Sequence, residues 1–283
     1  MQKTALITGA GGVIGKTIAR ALAQDGFSVI LSGRSLSPLT KTAREILALC
    51  GKARTIRADV SKKGDVQKLM DYVKQEIGSL DVLVTAAGVY GEIGTVERCD
   101  PEAWLEAIKI NLFGTMLSVK YALPLLKKTG RHGKIIAFAG GGDGALPNFT
   151  SYASSKGAVL RFVESVSAEL APYHIDINAI SPGLVNSGFV EDLIAAGPER
   201  AGKEKYEAAL REVSGKAEVA SPELAGKLGV FLASAKSDGI TGKNISARWD
   251  RWSDLSKHRA ILQTSDVYNW RRIKPRDRGY DWK

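Results

Sequence analysis

Six short runs of aliphatic and β-branched residues recur through the first 180 positions, each separated from the next by a segment with helical spacing. The runs are 4–8 (TALIT), 28–32 (SVILS), 53–58 (ARTIRA), 81–85 (DVLVT), 133–138 (GKIIAF) and 175–180 (IDINAI). Their nearly continuous apolar character is that of strands covered on both faces of a parallel sheet. Helical patterns at 14–25, 38–50, 64–77, 101–128 and 152–172 fill the gaps. This alternation predicts an α/β fold, a doubly wound parallel sheet with right-handed crossovers and helices on both faces. Ligands of such sheets bind at the carboxyl ends of the strands, and every motif discussed below falls at one of those ends.

Beyond residue 180 the pattern changes. Residues 189–218 are charged and helical, interrupted by Gly197-Pro198 and Gly202. They read either as a lid over the site or as a solvated helix pair. A helix at 222–234 and a short strand near 240–246 complete a single domain over 1–247, leaving 248–283 as an extension. That extension holds ten Lys and Arg against five Asp and Glu, half of the net charge of +10, and Trp249, Trp252, Trp270 and Trp282. A basic balance suits anionic ligands or plain solubility. No recognition motif accompanies it, so nucleic acid is not expected as a partner. Cys50 and Cys99 show no pairing or metal-binding pattern, which favours reduced thiols, a cytoplasmic protein and no metal. The first strand begins four residues from Met1, leaving no room for a leader peptide. No apolar run approaches the roughly 18 residues a membrane span needs.

The segment LITGAGGVIGKTIARALA carries strand, glycine turn and helix in that order. Amides at the helix start, with the positive end of its dipole, suit a pyrophosphate, and Gly9, Gly11, Gly12 and Gly15 allow close approach. The G-x-G-x-x-G spacing is absent, because Ile14 holds its last position. At the end of the second strand Gly33 and Arg34 stand where an acidic residue would grip a ribose 2′-hydroxyl. An arginine without a carboxylate suits a 2′-phosphate, hence NADP rather than NAD. Asp59 and Val60 follow the third strand, and Ala86, Ala87 and Gly88 the fourth. Each also reads as ordinary strand-end chemistry, a helix cap or a tight turn. Tyr152 and Lys156, four apart at a helix start, share one face. An ammonium beside a phenol favours the phenolate and would lower a pKa that is ordinarily about 10.

In their shared order, the glycine turn, Asp59, Ala86-Ala87-Gly88, IKINLFG with Asn111, Tyr152-x-x-x-Lys156 and Ser181-Pro182-Gly183 resemble the short-chain dehydrogenase/reductase superfamily in its compact form. The likeness spans residues 3 to about 246. It implies a seven-stranded parallel sheet, an oxidoreductase acting on a ketone or secondary alcohol, and a homodimer or homotetramer built through the helices near 101–128 and 152–172. It further implies Tyr152 as acid/base, Lys156 holding the nicotinamide ribose, and Asn111 anchoring a water that relays protons to Lys156. The turn from Thr8 through Val13 and Ile14 would hold the pyrophosphate, with Pro182, Gly183, Val185 and Ser187 around the nicotinamide. Three positions depart from the pattern: Val13 and Thr85 replace a glycine and an asparagine, and Ala139 stands where the family has a serine hydroxyl. Shifting the alignment by one gives Gly140 instead.

Replacements for that hydroxyl are Thr150, Ser151, a lid residue, an amide of the Gly140-Gly141-Gly142 run, or a substrate hydroxyl. Asp143 could pair with a substrate group there. Ala139, Gly140, Gly141 and Trp249 are the candidate substrate contacts. The stretch SARWDRW follows the last strand and is expected near the site; the basic, Trp-rich tail would suit an anionic or sugar-nucleotide substrate. The reading favoured over that role packs the tail on its own domain or a neighbouring subunit. An epimerase or dehydratase, or a regulatory binding protein on this scaffold, are the alternative functions.

Overall fold

The computed structural model describes residues 2–140, 144–183, 185, 188–216 and 220–281. Seven parallel strands form one sheet in the order β3-β2-β1-β4-β5-β6-β7. They are β1 (Thr4–Thr8), β2 (Ser28–Gly33), β3 (Lys52–Arg57), β4 (Val82–Thr85), β5 (Gly133–Phe138), β6 (Ile175–Ser181) and β7 (Asn244–Ser246). Side chains alternate across the sheet, as the period of two requires. Ala5 and Ile7 of β1, with Val82 and Val84 of β4, join one apolar core, while Leu6 and Leu83 join the other. Helices α1 (Val13–Gln24), α2 (Leu36–Ala48) and α9 (Pro222–Ala233) cover the first face. Helices α3 (Lys63–Glu76), α5 (Gly114–Leu126) and α6 (Thr150–Leu170) cover the second. The reversal of winding between β1 and β4 opens the crevice where such sheets bind ligands.

Four details differ from the sequence expectation. Strand β3 ends at Arg57 rather than residue 58 and is half exposed, because it is a sheet edge. The helix expected over 101–128 is α4 (Pro101–Ala107), a π-helical turn (Ile108–Phe113) and then α5, all in one rod. Helix α6 begins at Thr150, two residues early, placing Tyr152 inside its first turn. The segment expected as a lid forms α7 (Gly188–Ala201), kinked at Gly197, and α8 (Lys203–Val213), with its last two residues outside the described ones.

The extension after β7 folds back on the sheet. Leu255 and Leu262, the latter in α10 (Arg259–Thr264), are buried in the core beneath α1 and α9. Trp252 packs on Phe231, ring centres 5.9 Å apart. Further on, the Asn244 amide of edge strand β7 donates to Tyr268 O at 2.8 Å. The Trp270 ring lies against Gly157 of α6. Tail packing on its own domain, one of the two readings of the sequence, is what these contacts form. No helix among the described residues is long and apolar enough to cross a membrane.

Candidate functional site

The turn from β1 into α1 forms one wall of a cleft at the carboxyl edge of the sheet. Gly9 is left-handed, with φ 67°, and a Cβ on it would lie 2.5 Å from the Ala87 nitrogen. Only glycine lets this turn lie on the end of β4. Gly12 caps α1 without a side-chain hydrogen bond, so the helix's first amides and the positive end of its dipole stay open to a ligand.

Gly9, Gly11 and Gly12 line the cleft together with Arg34, Asp59, Val60, Ala86, Ala87 and Gly88. These expected cofactor residues therefore face one space. Thr8, Val13, Ile14 and Gly15 stand apart from it among the described residues. Thr8 is buried in β1, Ile14 packs on the core, Gly15 backs onto the Gly9 carbonyl, and Val13 points to solvent. Ser35, Pro38, Leu39, Ala58, Val89 and Ile110 complete the lining without having been expected. Only Ser35, adjacent to Arg34, carried any sequence signal. Asp59 Oδ1 accepts from the Ser61 amide and hydroxyl at 3.0 and 2.7 Å, so it also ties its own turn.

At the inner end of the cleft, Asn111, Lys156 and Gly88 converge. A Cβ on Gly88 would sit 3.2 Å from Asn111 Oδ1 and 3.6 Å from Lys156 Nζ. Asn111 lies in the π turn, a local widening common where a helix presents a functional group. Its amide is fully engaged: Oδ1 accepts from Val89 N at 2.9 Å, and Nδ2 donates to Val89 O and to Ser155 Oγ. It thereby ties the loop after β4 to α6. Lys156 Nζ donates to Phe138 O at 3.0 Å and lies 5.9 Å from the centre of the Tyr152 ring.

Tyr152 is 8 % exposed and enclosed by rings. Tyr90 meets it edge-on at 4.9 Å, and Phe189 of α7 at 5.7 Å. Burial, with Tyr90 adding to it, holds the Tyr152 phenol above its ordinary value. Burial also pushes the Lys156 ammonium down to about 8. The expectation that Lys156 lowers the phenol is thus not met in this enclosed arrangement. Desolvation disfavours both charged forms more than their mutual attraction favours them.

The missing hydroxyl has a definite geometry. Ala139 is buried in the core beneath α6. The group against the phenol oxygen is Gly140, where any Cβ would overlap Tyr152 Oη. Two of the suggested replacements have other partners, and the proton of the Ser151 hydroxyl is engaged by them. Thr150 Oγ1 accepts from Trp104 Nε1 at 3.0 Å, and Ser151 Oγ is buried and donates to the carbonyls of Tyr90 and Glu92. Gly141, Gly142, Asp143 and Ser187 lie outside the described residues. Pro182 and Gly183 follow β6 at the same sheet edge, with Val185 buried beyond them. A Cβ on Gly183 would lie 3.8 Å from Arg248 Cβ. Arg248 stacks over Trp249, 4.5 Å from its ring centre, and Trp249 is 75 % exposed. SARWDRW therefore reaches the rim beside Gly183, while no contact joins Trp249 to Tyr152 among the described residues.

At the opposite end of the sheet, His132, Asp176 and Asp238 bring ligand-type atoms together. The Lys134 ammonium lies 2.7 Å from both carboxylates, so their charge is already met.

A family model described as short chain dehydrogenase matches residues 3–196. The diacetyl reductase ((S)-acetoin forming) of Staphylococcus epidermidis is 32 % identical over 87 % of this chain and 96 % of its own. Among solved structures, NAD+-bound xylitol dehydrogenase superposes with a TM-score of 0.78 at 26 % identity, covering 86 % of this chain and 96 % of that one. Actinorhodin polyketide ketoreductase with NADPH gives 0.77 at 25 % identity, covering 87 % and 95 %.

Proposed function

The chain belongs to the short-chain dehydrogenase family, and on that premise we propose that it interconverts a ketone and a secondary alcohol with NADP as cofactor. The observation that carries this reading is the convergence of Asn111, Lys156 and Gly88 at the inner end of a glycine-walled cleft, with Tyr152 one helical turn from Lys156. The cleft fits a dinucleotide. Gly9 and Gly12 leave room for a pyrophosphate against the amides of α1. Arg34 lines the far end beside Ser35, and its carbonyl accepts from Arg57 Nε at 3.0 Å. Two guanidinium groups and no acidic residue at Gly33 support a 2′-phosphate there. The diverging cofactors of the two structural neighbours make Arg34 the residue on which the preference turns.

When bound, the nicotinamide supplies or takes the hydride. Tyr152 Oη gives its proton to the carbonyl oxygen, or takes one from the alcohol. Lys156, cationic when protonated, holds the ribose and stabilises the phenolate left on Tyr152. Asn111 positions both by pinning Val89 to Ser155, and its π turn supports the proton relay to Lys156. Pro182, Gly183 and Val185 would flank the nicotinamide face, the role the family resemblance also gives Ser187. With the serine position lacking a hydroxyl, the substrate oxygen is steadied by fewer fixed donors than is usual, so this is an atypical member. Arg248 on Trp249 gives the anionic or sugar-nucleotide substrate only rim support. Leu105 and Phe113, exposed on the 101–126 rod, support assembly of copies through that face.

NADPH absorbance followed against a panel of aliphatic and aryl ketones tests the reading. Turnover that Tyr152→Phe abolishes, by roughly 10² to 10⁴, is expected for a lost acid/base. Turnover that survives the substitution would overturn the role of Tyr152. Calorimetry showing no dinucleotide binding would overturn the function altogether.

A further inference from the structure

The enclosure around Tyr152 is aromatic inside and acidic behind. Phe189 stacks on Tyr90, ring centres 4.3 Å apart, and Tyr206 of α8 packs in the same cluster. Glu212 lies three residues after the buried Ala209, so both share a face of α8. It is 6 % exposed, and its Oε1 has no hydrogen-bond partner. Buried carboxylate oxygens are nearly always satisfied, and an orphan needs an explanation. The fold supplies no cation: among the described residues, no Lys or Arg pairs with Glu212. Burial and the neighbouring Glu191 both raise Glu212, and the same two causes raise Asp192 of α7. The charges of Glu212 and Asp192 also reach the Tyr90 hydroxyl, which they and burial hold up at about 12. Two carboxylates therefore bear on the tyrosine that meets Tyr152 edge-on, Glu212 buried and Asp192 exposed.

We propose that Glu212, with the Tyr90 and Phe189 rings, forms a subsite for the ammonium group of an amine-bearing substrate whose reacting carbon sits at Tyr152. This rests on the reading of Tyr152 as the acid/base. An ammonium brings donors to the orphaned oxygen and cancels the charge that makes Glu212 costly to bury. Aromatic faces add attraction for a cation within about 6 Å of their centres. A neutral hydroxyl would satisfy the oxygen but leave the charge, and a carboxylate or phosphate would be repelled by Glu212. The charge selected here is opposite to the one the basic tail favours, because a local field in an enclosed site outweighs net charge spread over a surface.

The test is calorimetric titration of the NADPH-loaded protein with three ligands of one shape: 4-methylbenzylamine, 4-methylbenzyl alcohol and 4-methylbenzoate. The amine is expected to bind about tenfold or more tightly than the alcohol, and the benzoate most weakly. Glu212→Gln should bring amine and alcohol together, while Glu207→Gln, on the exposed face of α8, keeps them apart. Equal binding, no binding, or a preference for the benzoate overturns the subsite, as does a preference that survives Glu212→Gln. The matched ketones, 4-(aminomethyl)acetophenone and 4-(hydroxymethyl)acetophenone, are then offered for reduction. Selective amine binding without reduction of either ketone overturns the reductase reading and leaves the subsite standing. Reduction of both without an amine preference does the reverse.

Discussion

Gly140 is the residue on which the chemistry at Tyr152 most visibly turns. A Cβ on it would overlap the phenol oxygen, so even a methyl group there must move the phenol away from whatever it protonates. Gly140→Ala is expected to lower turnover by about 10² while the fold survives, since loss of one well-placed proton donor or acceptor has that size. Unchanged kinetics with an unchanged melting temperature would show that Tyr152 is not positioned by this contact. Ala139→Ser should restore little, because its side chain is turned into the core beneath α6.

Lys156 carries a pH signature. Its value is about 8 in the folded chain against an ordinary 10.5. Between those values the unfolded chain holds a proton that the folded chain has lost, so stability from this site rises with pH across that window and is level outside it. Below pH 8 the buried ammonium costs on the order of 3 kcal/mol before its hydrogen bond to Phe138 is counted. Lys156→Met should therefore unfold at higher urea than the parent near pH 7, with the two curves converging as pH approaches about 10. A gap that stays constant with pH would mean that Lys156 is not desolvated. Spacing marked Tyr152 and Lys156 as a pair, and the family resemblance added Asn111. Tyr90 and Phe189 were not legible, because they reach Tyr152 from distant segments and have no local pattern of their own.

At the scale of elements, the strands and the helices packed on the sheet followed from apolar periodicity, whereas α10 and the π turn that carries Asn111 did not. The rod from 101 to 126 looks like an uninterrupted helix because its hydrophobic spacing hardly registers one added residue. The π turn is held by partners distant in sequence, Val89 and Ser155 on Asn111. Asn111→Leu removes all three bonds and leaves the Val89 amide and carbonyl without this partner. A loss of about 2–4 kcal/mol in denaturant unfolding is expected, together with faster hydrogen exchange in the 89–93 loop. Exchange unchanged there would show that the loop is held by other contacts. The glycine turn was legible, since Gly9, Gly11 and Gly12 sit between a strand and a helix. Val13, which departs from the family turn, is exposed and does not line the cleft.

For the whole molecule, the tail is the part that composition described least well. Its basic and aromatic character suited either a ligand or packing, and packing, the reading favoured from the sequence, is what most of it does. Lys243 Nζ donates to Ser265 O and Asn269 Oδ1, and Asn269 Nδ2 to Gly242 O. Trp270 donates its amide to Glu164 of α6 at 2.6 Å. Truncation after residue 264 keeps Leu255 and Leu262 in the core but uncovers β7, whose free edge can then pair with another chain. Reduced stability, by about 2–4 kcal/mol, and new self-association in sedimentation are the expected results. Truncation after 254 also removes both leucines and should cost more, since each buried leucine lost is worth roughly 2–5 kcal/mol. An unaltered sedimentation profile after the first truncation would show that the edge is protected in some other way.

The amino-acid sequence by itself determined the parallel sheet, its winding and the cleft at its edge, because these depend on local periodicity and on glycines between strand and helix. Only the tertiary structure decided what surrounds the phenol: that Gly140 rather than Ala139 lies against it, that the Ser151 hydroxyl donates to loop carbonyls instead, and that aromatic rings close over it. Those are contacts between segments far apart in the chain, and no spacing along one segment records which groups another will bring against it.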